Sequence, residues 1–356
     1  MKKFVALALT LVMALSLTAC GGSSSTPADD SSSNNGEGDT STIAPQTIKI
    51  CQPQVENTPE DAATKAMAAK IEELSGGAIK CEVYSTGQLG SIPESIQLAQ
   101  LGSVQIAIGP CAIVSSYCED TALVDLPYLL PNDVEVIDEV MNGDLGHELM
   151  DRMDDVGLHT ISFWFGGFRQ MTANRDINSV ADMKGLKMRI MESNILTSTY
   201  KALGAQPIVV AYSETYNALQ NGTVDAQENP AQSTYSMNFY EVQKYIVDTY
   251  HDSQAHLVMI NKGWWDSLSP EVQDIITEAA DVGRQTMLEQ LPPFAQDCVD
   301  KMVAYGCVNH ALSDEAMEEF KTATRPVWDE FMNTEWRADY VTRLEAAFNE
   351  AMAAKG

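Results

Sequence analysis

Thr47-Ile48-Lys49-Ile50-Cys51, then Thr58-Pro59-Glu60-Asp61, then Lys80-Cys81-Glu82-Val83-Tyr84 decide the fold class of this 356-residue chain. The first run alternates apolar and polar residues over a strand's length. Thr58 supplies an N-cap, Pro59 a first helical residue that needs no N–H partner, and Asp61 an acid three positions past the cap. Ala63, Met67, Ile71 and Leu74 then share one helical face, and Gly76-Gly77 ends the helix. Residues 80–84 return as a strand, 93–101 form a helix closed by Gly102, and 105–108 form a third strand. Strands alternating with helices demand parallel pairing, so the chain is read as α/β.

The pattern resumes after Gly157. It predicts strands over 160–165, 186–190, 207–212, 247–250 and 256–261, and a helix over 213–220 stopped by Asn221-Gly222. Ser179 caps a turn that ends at Gly185. Ser269-Pro270 opens a long helix through Ile275, Ile276, Ala279, Met287 and Leu288, expected to break at Pro292-Pro293. The body from residue 46 onward, roughly 310 residues, is long for one core and suits two lobes.

The N-terminus reads as a targeting signal. Lys2 and Lys3 precede an apolar run over 4–17, and Leu17-Thr18-Ala19-Cys20 matches a bacterial lipobox. Residues 1–19 are therefore expected to be a lipoprotein signal peptide, Cys20 the lipidation site, and the Ser/Gly-rich stretch 20–45 a flexible tether. The expected location is extracytoplasmic, anchored by lipid to the outer face of the cell membrane or periplasmic.

With 22 Lys and Arg against 50 Asp and Glu, the formal net charge is -28. That balance argues against a nucleic-acid partner or a polybasic grip on anionic lipid. Six cysteines follow Cys20, with no Cys-x-x-Cys pair, and the five histidines lie at no zinc-like spacing, so no metal is expected. Cys298 and Cys307 are the pair best placed for a disulfide, whereas Cys51, Cys81 and Cys111 read as buried thiols. No nucleophile elbow, Walker loop or dinucleotide fingerprint is present, so neither an enzyme nor a cofactor is expected.

Arginine is scarce, with none before Arg152, yet Arg169, Arg175 and Arg189 fall in one window. Such a cluster in an acidic chain asks for a specific anion. Gly167-Phe168-Arg169-Gln170, the run from Asn174 through Gly185 to Arg189-Ile190, Leu203-Gly204-Ala205, Ser213-Glu214-Thr215-Tyr216 and Tyr240-Glu241-Val242-Gln243-Lys244-Tyr245 together resemble the solute-binding proteins of TRAP transporters. The resemblance is strongest over about 167–261 and weaker from about residue 47 to the C-terminus.

The resemblance implies a two-lobed, periplasmic-binding-protein-like fold with hinge strands and a long kinked helix spanning both lobes. Lobe I is expected at 46–165 plus 254–294, lobe II at 166–253 plus 295–356, and the crossings near Phe165 and Asp252. It implies capture of a small carboxylate-bearing organic acid by cleft closure. Delivery to small and large membrane permease subunits would follow, with the binding protein a monomer. Arg189 is expected to clamp the carboxylate, Arg169 to add a second contact, Asn229 to orient the ligand and Tyr212 to pack an aromatic against it. Trp164 and Phe165 end a strand at the crossing, where Phe165 is expected either to stack on the ligand or to fill the hinge, and Gln54, in the loop after the first strand, is placed on the opposite wall. Arg175, beside Asp176 in a turn, is read as structural.

Departures from the family pattern narrow the ligand. Gly109-Pro110-Cys111-Ala112-Ile113 stands where sialic-acid-binding relatives carry an acidic and then a basic residue, and Asp225-Ala226-Gln227-Glu228 replaces the usual Asp-Gly-Gln-Glu. Sugar acids or uronates, C4-dicarboxylates and small hydroxy or keto acids remain. The competing reading is a surface sensor that presents its ligand to a receptor kinase.

Overall fold

The computed structural model describes residues 43–355, so the leader, Cys20 and the tether as far as residue 42 lie outside the described residues. In chain order the elements run β1 (Gln46–Cys51), α1 (Pro59–Leu74), β2 (Ile79–Tyr84), α2 (Ile92–Gln100), β3 (Ile106–Pro110), α3 (Cys111–Val114), α4 (Val134–Met141), α5 (Asp144–Met150), β4 (Leu158–Ala173), β5 (Lys187–Ile190) and α6 (Asn194–Ala202). They continue as β6 (Gln206–Val209), α7 (Thr215–Gln220), β7 (Ala226–Pro230), α8 (Ala231–Ser236), β8 (Tyr245–Asp248), β9 (Ser253–Asn261), α9 (Lys262–Trp265), α10 (Pro270–Tyr305), β10 (Val308–Ala311), α11 (Asp314–Phe331) and α12 (Glu335–Lys355).

The opening βαβα run folds as its sequence dictates. Thr58 Oγ1 accepts from the Asp61 N–H at 3.3 Å, Asp61 Oδ2 accepts from the Asn57 N–H at 2.9 Å, and Ala63, Met67 and Ile71 are buried. Gly76 and Gly77 take positive φ where the chain turns back. β1 pairs in parallel with β2 and β3, and the sheet order is β2-β1-β3-β9-β4-β7-β5-β6, with β8 pairing β4 and β10.

β4 joins the two lobes. Its first part, to Phe168, pairs antiparallel with β9 in the first sheet; from Arg169 it pairs with β7 and then β8 in the second. The strand expected over 160–165 thus runs 16 residues, straight through Gly166-Gly167. These glycines permit close approach and a bulge and do not end the strand: a Cβ on Gly166 would meet the Gln254 carbonyl at 2.8 Å and the His256 ring at 2.9 Å, and Gly167 has φ +99°. β6 is shorter than its predicted strand, because the chain turns into a 3₁₀ segment at Tyr212.

α10 is one continuous helix of 36 residues capped by Ser269, and Pro292 and Pro293 lie inside it without breaking it. It packs on α1 in lobe I and on α8 in lobe II. Contact at its middle is close enough that a Cβ on Gly283 would overlap the Trp164 indole. The C-terminal segment departs from the expected boundary. α11 packs on α6 in lobe II, but α12 lies on α4 and α5 in lobe I. Arg337 donates to Asp120 and Glu119, Arg343 to Glu148, and the Tyr340 hydroxyl to the Leu145 carbonyl.

Cys298 and Cys307 are both free and buried rather than bridged. Cys307 follows the turn at Gly306, where its thiol faces the carbonyls of Tyr240 and Gln243 at 3.5 and 3.4 Å. Cys51 and Cys111 are buried thiols, and Cys81 is half-buried.

Candidate ligand-binding site

A cavity of about 860 Å³ lies between the lobes. That volume falls within the range of small-molecule sites. Lobe I contributes Gln54 and Val55 from the loop after β1, Ser91 to Glu94 at the start of α2, and Pro110 and Ile113; lobe II contributes Arg189, Glu192, Tyr212, Ser213 and Asn229.

Arg189 near the end of β5 is 1% exposed, although Lys187 two residues earlier on the same strand face is exposed. Its Nε and Nη2 both donate to the Val210 carbonyl just past β6, at 2.9 and 2.8 Å. That carbonyl is its protein partner among the described residues, leaving Nη1 uncommitted. Burial drives the guanidinium pKa down to about 10; the Glu228 charge resists the fall and the Arg169 charge adds to it. A buried cation without a carboxylate is a costly arrangement unless an anion completes it.

Arg169 differs. It is 2% exposed, absent from the cavity wall, and fully engaged by protein. Its Nε is ion-paired with Glu228 Oε2, Nη2 donates to the Glu228 carbonyl at 3.0 Å, and Nη1 donates to Gln254 Oε1 at 2.7 Å. Burial opposes ionisation of Glu228, yet Arg169 and His251 together hold its pKa down to about 2. His251 itself is fixed by Tyr200 Oη at 3.0 Å and Thr249 Oγ1 at 2.8 Å. Arg169 therefore reaches the cavity only through Gln254, which does line it.

Gln54, Tyr212 and Asn229, three of the residues expected at the site, line the cavity. The Tyr212 hydroxyl donates to Gln54 Oε1 at 2.8 Å, and Gln54 Nε2 donates to Ser233 Oγ at 3.0 Å, so one glutamine bonds two residues of the other lobe. Asn229 Nδ2 donates to Gln227 Oε1 at 2.6 Å, which fixes its amide. Phe165 is not at the site. It is 4% exposed, paired in register with Ala255, and packed edge-on against Phe168 with ring centroids 4.9 Å apart, because the outward face of β4 is covered at the crossing.

Sequence reasoning missed Gln254, Glu192 and Ser213. Gln254 is the second residue of β9, beside the crossing, and only the pairing of β9 with β4 reveals it. A further link between the lobes is Gln232, whose Nε2 donates to Glu60 Oε1 at 3.1 Å and to the Gly166 carbonyl at 2.7 Å. Burial raises the Glu60 pKa to about 7.

Residues 52–335 match the model of the bacterial extracellular solute-binding protein family 7. The chain is 31% identical over 288 residues to the C4-dicarboxylate-binding protein DctB of Bacillus subtilis, covering 80% of this chain and 81% of that one. Among solved structures, a TRAP periplasmic solute-binding protein from Desulfovibrio salexigens with bound orotic acid superposes with a TM-score of 0.83 at 25% identity, over 86% of this chain and 99% of that one. The sugar acid binding protein DctPAm from Advenella mimigardefordensis, in complex with galactonate, gives 0.82 at 27% identity, over 87% and 99%.

Proposed function

Because the chain belongs to the bacterial extracellular solute-binding protein family 7, whose members serve TRAP transporters, we propose that Arg189 binds the carboxylate of its transported organic acid. The protein is an extracytoplasmic solute-binding protein that captures a small organic acid between its lobes for a membrane permease. The observation that carries the Arg189 assignment is its buried guanidinium on the cavity wall, held by one backbone carbonyl and no acid. A planar fork with a free N–H edge suits a carboxylate. Asn229, Tyr212 and Gln54 would complete the polar wall, and Arg169 would act at one remove by fixing Gln254.

Gln54 and Gln232 each bond across the lobes, which supports capture by closure about β4 and β9. The lobe division follows the sheets: β1 to the first part of β4 with β9 and α12 on one side, and the rest of β4, β5 to β8, β10 and α11 on the other. We further propose lipid attachment at Cys20 on the strength of the lipobox, and function as a monomer without chemical change to the ligand. The relatives are named for binding and transport, which favours that role over a sensor.

Calorimetric titration of the purified protein with a panel of organic acids tests the assignment. At least one acid should bind the parent and lose most of its affinity in Arg189→Met. Equal binding by parent and variant would remove Arg189 from the site.

A further inference from the structure

The charge on the cavity wall is unbalanced. Arg189 is the cationic residue that lines the cavity among the described residues, and Arg169 behind it is neutralised by Glu228. Two carboxylates line the same cavity, Glu94 from lobe I and Glu192 from lobe II. The start of α2, where backbone N–H groups would otherwise attract an anion, is already taken. Glu94 Oε2 accepts from the Ser91 N–H at 2.7 Å and from Ser91 Oγ at 2.8 Å, and Pro93 has no N–H to offer. These bonds keep Glu94 ionised, its pKa lowered first by the Ser91 backbone and then by the Ser91 hydroxyl.

Glu192 has no protein partner among the described residues, and it lies near the start of α2. The Tyr117 hydroxyl donates to the Pro93 carbonyl at 3.0 Å, and its pKa is raised mainly by burial and also by the Glu192 charge. Acids from opposite lobes thus line the same cavity near the start of α2.

We infer that Glu192, with Glu94, is a specificity determinant that rejects ligands carrying a second carboxylate, so that the site selects monocarboxylates whose far end donates hydrogen bonds. This rests on the Arg189 reading above. A second carboxylate would find no cation and would face two like charges, whereas a hydroxyl or ammonium group would find acceptors. Thr86, Ser91 and Ser213 also line the cavity and suit hydroxyl-bearing ligands.

The test is calorimetry on the full chain with a matched pair, D-galactonate and galactarate, which differ in one terminal carboxylate. Succinate and 4-aminobutyrate join the panel, the latter separating ammonium from hydroxyl donors. The parent should bind galactonate or 4-aminobutyrate at least about tenfold more tightly than galactarate or succinate. Glu192→Gln should narrow that gap by raising the affinity for galactarate and succinate, and Glu94→Gln should do so with the helix cap intact, since Gln also serves in a capping box. Diacids binding the parent as tightly as monoacids, or a gap unmoved in both variants, would overturn the inference. If those diacids still require Arg189, the clamp reading stands alone. Binding of no acid at all would remove both.

Discussion

Replacing Arg189 with Met separates a binding role from a structural one, because the two predict opposite results. Burial has lowered the guanidinium pKa to about 10, which at 1.36 kcal/mol per pKa unit makes the buried charge unfavourable by about 3 kcal/mol without ligand. Removing it relieves that, but strips the Val210 carbonyl of two N–H donors, a loss of about 1–3 kcal/mol. The terms nearly cancel, so urea unfolding of ligand-free protein should shift by no more than about 2 kcal/mol in either direction. Binding should suffer far more. Deleting one partner of a buried, hydrogen-bonded charge pair costs about 2–5 kcal/mol, or roughly 30- to 3,000-fold in affinity. Arg189→Lys should recover part of the affinity, since it restores charge without the fork. Titration calorimetry with the tightest acid and urea melts of the same samples measure both sides. A ligand-free protein that loses more than about 4 kcal/mol while keeping its affinity would refute the reasoning and make Arg189 a structural residue.

Arg169→Ala should behave in the reverse sense, destabilising the ligand-free fold by about 3–5 kcal/mol because Glu228 is left buried and ionised; an unchanged urea midpoint would contradict this. Glu60 titrates near pH 7 when folded and near 4.5 when free, so its folded form favours the proton and its contribution to stability falls as pH rises from about 4.5 to 7, by up to about 3 kcal/mol, then levels. Glu60→Gln, which keeps a partner for Gln232, should therefore gain stability over the parent progressively across that interval; a difference between the two that is flat with pH would count against it. Gly283→Ala should lower the melting temperature, by an overpacking penalty of about 1–3 kcal/mol against Trp164. Cys20→Ala should release the protein from membranes into the aqueous phase of a detergent partition, whereas identical partitioning would exclude a lipid at that residue.

The parts legible in the sequence were those fixed by local chemistry. The Thr58-Pro59-Asp61 cap, the Ser269-Pro270 cap and the glycine pair at 76–77 each work through hydrogen bonds within a few residues, and each stands where its chemistry puts it. The strand expected over 160–165 was cut short for the converse reason: Gly166 makes room for Gln254 and His256 on β9 and Gly167 for Pro230 and Gln232, partners far away in sequence. The docking of α12 on lobe I was hidden in the same way, since the ion pair between Arg337 and Asp120 spans 217 residues. Local pattern also could not rank the two arginines. In the pairing of β4 with β7, Arg169 lies opposite Pro230 and Met171 opposite Glu228, which makes Arg169 and Glu228 diagonal neighbours. Arg189 pairs in register with Gln227, a neutral residue. One arginine thus meets an internal acid and the other does not, which is the ground for proposing Arg189 rather than Arg169 as the carboxylate's partner. With Glu94 and Glu192 lining the same cavity, the proposed clamp would favour one negative charge on the ligand and oppose a second.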